Sequence, residues 1–295
     1  WYECDKVRFR QGTPEKIGGW QRISASTFLG VCRSIWNWVT LTSQNLVGLG
    51  TNLKFYIENG GGYNDITPLR KAAATLGNNP FVAVSGSATV TVTDATGGYI
   101  EGDFVTFSGG SSVGGLDLNA EFQIASLVST TSYTIVASSN ASSSATGGGS
   151  SVTAAYQINV GPAFVIPLTG WGASAWGSGA WGIGSESVEE VRQWSQANFG
   201  EDLIFGPRGG KLFYWDASAT NSLSVRGVAL SSISGASNVP TVQNLTLVSD
   251  ISRFVFCFGC NELGSATLNT MLIRWSDQED ATNWTPSATN QSGDL

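Results

Sequence analysis

Four short runs decide the fold: Ser34-Ile35-Trp36-Asn37-Trp38-Val39-Thr40-Leu41, Leu46-Val47-Gly48-Leu49-Gly50, Lys54-Phe55-Tyr56-Ile57-Glu58 and Tyr63-Asn64-Asp65-Ile66-Thr67. Each is rich in β-branched and aromatic residues, which suit a pleated, half-buried surface. The breaks between them are Thr42-Ser43-Gln44-Asn45, Thr51-Asn52 and Asn59-Gly60-Gly61-Gly62. Asn and Gly reach positive φ at little cost, and Ser and Thr hydroxyls bond to nearby backbone, so these breaks read as turns. Short strands joined by tight turns form an antiparallel meander. Upstream, Val7-Arg8-Phe9-Arg10 reads as a further strand and Gln11-Gly12-Thr13-Pro14 as its turn.

The meander recurs. Trp38, Leu46-Val47-Gly48-Leu49 and Lys54-Phe55-Tyr56-Ile57 are echoed by Trp194, Leu203-Ile204-Phe205-Gly206 and Lys211-Leu212-Phe213-Tyr214-Trp215. A third copy is read in Thr246-Leu247-Val248, Phe254-Val255-Phe256-Cys257-Phe258 and Met271-Leu272-Ile273-Arg274-Trp275. It closes with Trp284-Thr285-Pro286, parallel to Ile66-Thr67-Pro68 in the first copy. A four-stranded unit of about forty residues that repeats is the sequence mark of a β-propeller, because one such sheet buries its faces only by stacking on neighbours. The Gly-His and Trp-Asp signature of WD repeats is missing. The expected fold is all-β: a partial propeller of four-stranded antiparallel blades, with a small β-barrel or sandwich inserted.

That insertion spans residues 81–158. Its strand-like runs are Ala88-Thr89-Val90-Thr91-Val92, Phe104-Val105-Thr106-Phe107, Glu121-Phe122-Gln123-Ile124, Tyr133-Thr134-Ile135-Val136 and Ala154-Ala155-Tyr156-Gln157-Ile158. Residues 138–151 are nearly all Ser, Ala and Gly and read as a mobile tip. Residues 1–80 then hold the N-terminal strand and first blade, and residues 191–295 the further blades. Between insert and second blade, residues 159–190 form a Gly/Trp-rich loop in which Trp171, Trp176 and Trp181 recur every fifth position. Five matches neither the helical nor the strand period. The three indoles are a contact surface for a neighbouring subunit, a host receptor or a membrane interface, or else anchors of the loop on its own domain.

Composition narrows the chemistry. Among 295 residues only 13% are charged, and Gly and Ser together supply a quarter of the chain. Aromatics reach 11%, with 11 Trp, enough to build a core and to argue against disorder. There is no His, so Ser-His-Asp and Cys-His catalysis, HExxH zinc sites and imidazole pH switches are all excluded. A net charge of −7 argues against wrapping nucleic acid, which needs clustered Lys and Arg. It permits DNA to slide past without sticking. No apolar run reaches the length of a membrane span, and Trp1-Tyr2-Glu3-Cys4-Asp5 is no signal peptide. A chain beginning at Trp1 reads as a processed or partial piece of something longer.

The remaining small signals are weak. Cys257-Phe258-Gly259-Cys260 matches CxxC but sits in a strand-like run ending in a turn, without a second pair for zinc. With Cys4 and Cys32 it is read as buried or turn cysteine in a reducing cytosol. Asp277-Gln278-Glu279-Asp280 lacks the spacing and Gly of a calcium loop and reads as a solvated turn. Four sequons, at Asn140, Asn244, Asn283 and Asn290, are what a Ser/Thr-rich chain produces by chance. Carboxylates among Glu189, Glu190, Asp202 and Asp216 would make a glycosidase pair only if two faced one pocket, about 5–9.5 Å apart. No catalytic, metal or cofactor site is assigned.

Two segments carry a resemblance. Val7-Arg8-Phe9-Arg10-Gln11-Gly12-Thr13-Pro14-Glu15-Lys16-Ile17-Gly18-Gly19-Trp20 resembles the opening of podovirus-type phage tail proteins, the tail tubular protein B or nozzle group. Arg274-Trp275-Ser276-Asp277-Gln278-Glu279-Asp280-Ala281-Thr282-Asn283-Trp284-Thr285-Pro286 is similar to segments of the same proteins, as is the run from Arg192 to Leu203. The resemblance covers the first 70 residues and roughly residues 190–295, but not the insert. It implies a non-enzymatic virion protein assembled in the bacterial cytoplasm, forming a ring, usually of six copies, at the distal end of a short tail. Its implied partners are copies of itself, the tail adaptor, tail fibre proteins and genome DNA that passes through without sequence-specific binding. It also implies a longer intact chain with further blades. The rivals are a host-surface glycan or receptor-binding module and a carbohydrate-active propeller enzyme.

Overall fold

A computed structural model describes residues 5–18, 24–161 and 193–295. The described residues are all-β, with two short 3₁₀ turns, and three four-stranded antiparallel sheets dominate them. The first blade runs Cys32–Val39, Asn45–Thr51, Phe55–Asn59 and Gly62–Asp65 in chain order across the sheet. The second runs Trp194–Phe199, Asp202–Pro207, Phe213–Trp215 and Val228–Ala229. The third runs Gln243–Val248, Val255–Asn261, Leu268–Trp275 and Gly293–Asp294. Consecutive blades pack face to face, their first strands closest together. This is the propeller-like arrangement expected of the repeat.

Two details of the repeat differ from the sequence reading. Trp38 pairs with Leu46 beside the first hairpin turn, whereas Trp194 pairs with Pro207 at the far end of its hairpin. The two indoles therefore stand at opposite ends of equivalent strands, because their hairpin loops differ in length. Likewise Trp284 is not a closing strand; Gly293–Asp294 pairs with Arg274 and Trp275 instead. Trp284 is buried and ties its own loop, donating its indole N–H to the Ala281 carbonyl at 2.7 Å.

Seven strands of the insert and Ala74–Thr75, just before it, form one continuous eight-stranded sheet curled into a half-barrel. Period-2 alternation drives it: in Thr89–Thr93 the valines point inward and the outer threonines to solvent. Phe81, Val92, Phe107, Ile124, Tyr133 and Ile135 meet in its core. The Ser/Ala/Gly stretch read as a mobile tip is ordered. Ala145–Gly147 pairs with Phe81–Ala83 at the sheet edge, and Ala141 is buried. Small residues there allow the strand to lie close over Val113, which a Cβ at Gly147 would meet at 3.2 Å.

The N-terminal hairpin pairs Val7–Arg10 with Thr13–Lys16, extending the predicted turn into a second strand. Gln11 and Gly12 take φ values of 50° and 80°, the pair of positive values a tight hairpin turn requires.

Candidate functional site

First blade, insert and second blade converge on one half-buried ionic cluster. Lys54 opens the third strand of the first blade and is 3% exposed. Its ammonium bonds Asp65 Oδ2 at 2.8 Å and also Glu121 of the insert. Arg226, on the connection into the last strand of the second blade, reaches Asp65 Oδ1 and Glu121 Oε2, each at 3.4 Å. It also donates to the Thr67 carbonyl at 2.8 Å. Gln157 gives its amide N–H to Glu121 and, at 3.4 Å, to Asp65. The Lys54 ammonium further lies 4.6 Å from the centre of the Phe104 ring.

Two cations thus neutralise two carboxylates in a site where Lys54 is buried and Asp65, Glu121 and Arg226 keep about a quarter of their side chains exposed. Burial pushes Asp65 upward, but the Arg226 and Lys54 charges outweigh it and hold the carboxyl below its ordinary range. With its charges mutually satisfied, the cluster is suited to locking elements together rather than to proton transfer. A second clamp joins the chain entering the insert to the insert itself: Arg70 pairs with buried Asp103 and lies 5.8 Å from the Tyr156 ring centre. Beside these clamps lies a cleft of about 370 Å³, lined by Asn52, Leu53, Ile100, Asp103, Phe104 and Val160 among others.

The seam between first and second blades is aromatic. The Phe55 ring centre lies 4.3 Å from Phe205 and 4.9 Å from Trp194. Every seam indole finds a partner: Trp38 donates to the Glu201 carbonyl at 2.8 Å and Trp36 to Asn198 Oδ1 at 3.2 Å. Between second and third blades Ile204, Leu212, Leu230, Val255, Cys257 and Trp284 pack together. Gln243 stitches the strands there, its amide donating to the Pro207 carbonyl at 3.1 Å.

Trp171, Trp176 and Trp181 lie outside the described residues, as do Glu189, Glu190 and Cys4. Asp202 is half-buried, and burial raises its carboxyl. Its oxygens accept from the Tyr214 hydroxyl at 2.5 Å and the Ala217 N–H at 2.9 Å. Asp216 accepts from the Ser218 N–H and hydroxyl at 2.8 and 2.7 Å. Both carboxylates are occupied in holding the turn after Trp215, and neither lines the cleft.

Cys257 and Cys260 lie within one continuous strand that bulges at Gly259, so no turn separates them. Both are buried thiols, and burial pushes Cys257 strongly upward. The acidic run Asp277–Asp280 is a turn, as its composition indicates. Asp277 accepts from the Gln278 and Gln291 N–H groups, Asp280 from Thr282, and Glu279 pairs with Arg253 at 3.1 Å. Arg274, 3% exposed, holds three carbonyls: Asn261 at 3.1 Å, Asn238 at 2.7 Å and Trp284 at 3.3 Å. The Arg274-to-Pro286 segment is therefore built as a folding device. The ionic cluster was not legible in the sequence, because its members are scattered between Lys54 and Arg226 with no local spacing to link them.

No family model matches the chain, and no curated protein matches it. Among solved structures it is similar to "Phage phi92 endosialidase" at 14% identity and a TM-score of 0.28. That likeness covers 87% of this chain and 36% of the other, so this chain spans about a third of that protein. Among the described residues no helix is long and apolar enough to cross a membrane.

Proposed function

We propose that the chain is a non-enzymatic structural component of a phage tail, of the nozzle or tail tubular protein B kind. In this reading several copies form a ring that conducts DNA during ejection and carries fibres or host contacts. The observation that carries it is the Lys54–Asp65–Glu121–Arg226 cluster. It ties the insert to two blades at once, as a platform needs and a freely tethered binding domain does not. The resemblance of Val7–Lys16 and of the Arg274-to-Pro286 segment to tail proteins supports the same reading. A net charge of −7 would keep passing DNA from adhering to the ring wall. The carboxylates of Asp202 and Asp216 serve their own turns, which supports a scaffold over a hydrolase.

Cryo-electron microscopy of particles carrying the protein tests this. Multiple copies around the axis at the distal tail are expected; a location on the capsid, or absence from the particle, would overturn it.

A second reading, that the insert binds a host-surface glycan, draws on its outward hydroxyl pairs. Ser108–Thr153, Ser126–Thr134 and Ser129–Ser132 each lie 2.7 Å apart on exposed strands. Deletion of residues 81–158 separates the two: particles that assemble but fail to adsorb favour recognition, whereas loss of the ring favours architecture.

A further inference from the structure

Insert and blades keep separate cores. Phe81, Val92, Phe107, Ile124 and Tyr133 pack among residues of the insert, whereas Phe55, Ile66, Leu203 and Phe205 pack among residues of the blades and their connection. Neither core holds a residue of the other. The chain crosses between the two bodies twice, side by side, residues 68–70 lying antiparallel to residues 156–158. In this ribbon the Arg70 N–H donates to the Tyr156 carbonyl at 2.8 Å and the Ile158 N–H to the Pro68 carbonyl at 3.0 Å, with Leu69 facing Gln157. Next to the ribbon, the cleft of about 370 Å³ separates Asn52 and Leu53 of the first blade from Ile100, Phe104 and Gln123 of the insert. Beyond the ribbon, Glu121 is the one side chain of the insert that hydrogen-bonds or ion-pairs with a blade among the described residues. It takes the Lys54 ammonium and, at 3.4 Å, the Arg226 guanidinium. Gln157 of the ribbon donates to the same carboxylate.

We propose that the insert is a hinged arm and that Glu121 is its latch. While Lys54 and Arg226 hold that carboxylate, the arm lies against the blades. When they part, it turns about the ribbon of residues 68–70 and 156–158 and widens the cleft. Two crossings side by side fix the axis of the turn, and a few residues at the ends of elements suffice as a hinge. A shared apolar core would forbid the motion, because opening it returns buried surface to water. Ion pairs behave differently: Glu121 and Arg226 keep about a quarter of their side chains exposed, so they exchange each other for water and salt. Two bodies joined without a large apolar interface move relative to each other by default. The proposal does not depend on the virion reading, since it concerns only how the insert is held.

Pulsed electron-spin distance measurement on the 295-residue chain tests it, with nitroxides on exposed Cys32 of the first blade and on Thr89→Cys of the insert. Cys4→Ser leaves these two as the reactive thiols, since Cys257 and Cys260 are buried. The latched chain should give one narrow distance. Glu121→Gln removes the charge at nearly constant shape, and a second, displaced distance should grow several-fold. Salt at about 1 M, where screening acts over about 3 Å, should move the chain with Glu121 intact in the same direction. Hydrogen exchange in Ser132–Val136 should stay slow throughout, because the arm turns as a folded body. A single unchanged distance in folded Glu121→Gln would overturn the proposal. If Glu121→Gln does not fold, an unchanged distance at high salt overturns it instead. A second distance that comes only with fast exchange in Ser132–Val136 also refutes it, since the insert is then unfolding and not turning.

Discussion

The indole N–H of Trp194 donates to the carbonyl of Thr51 at 2.7 Å, across 143 positions of sequence. That bond exists because Gly50 leaves the sheet bare beneath the ring. A Cβ on Gly50 would stand 2.4 Å from Trp194 Cδ1, and one on Gly48 would stand 2.2 Å from Gln196 Oε1. The first and second blades therefore meet through two glycines on one side and two large side chains on the other.

Gly50→Ala should cost about 1–3 kcal/mol, since the methyl displaces a ring already packed between Phe55 and Phe205. Trp194→Phe should cost about 1–3 kcal/mol by leaving the Thr51 carbonyl buried without its donor. Urea denaturation of both single variants and the double variant checks this. The double variant should lose less than the two losses added, because both act on one contact.

Lys54→Met should cost about 1.5–3 kcal/mol at neutral pH, because it leaves the half-buried Asp65 and Glu121 facing Arg226 alone. The acid response follows from Asp65. Burial raises its carboxyl, yet Arg226 and Lys54 bring it below the ordinary 3.8. The unfolded chain thus takes up the proton first. The stabilisation is complete above about pH 4 and is lost as pH falls through the depressed folded value. In Lys54→Met the folded value rises toward the ordinary one, so this part of the acid dependence should shrink. Denaturation midpoints between about pH 3 and pH 7 read both effects.

Thiol labelling should split the cysteines by burial. Cys32 is exposed, whereas Cys257 and Cys260 are buried and Cys257 is held protonated. Maleimide treatment followed by peptide mass spectrometry should mark Cys32 within minutes and Cys257 and Cys260 only in denaturant. Native-state labelling of Cys257 would show that the third blade opens.

Within the insert, Tyr156 links Asp94 and Tyr133, its hydroxyl lying 2.5 Å from Asp94 Oδ2 and 2.7 Å from Tyr133 Oη. All three groups are buried, and burial is the main cause raising both phenols. Tyr156→Phe strands two polar atoms and should cost about 1–3 kcal/mol. Hydrogen exchange should quicken in Thr89–Thr93 and Ser132–Val136 before any change in the first blade.

What the residues fix locally was readable in order. Strands such as Lys54-Phe55-Tyr56-Ile57 and Thr89–Thr93 follow from β-branched and aromatic runs between Gly, Asn and Ser turns, because pleat and turn conformations depend on neighbours a few positions away. The repeat of four such strands was legible for the same reason, and it settled the propeller-like class. Tertiary structure alone decided which face meets which. It set Trp38 and Trp194 at opposite ends of their strands, made a paired edge of Ala145–Gly147, and closed the third sheet with Gly293–Asp294 instead of Trp284. It alone also gathered Lys54, Asp65, Glu121 and Arg226 into one cluster. Those choices rest on desolvation and packing between residues far apart in the chain, energies that exist only after the sheets have stacked and that leave no period in the sequence.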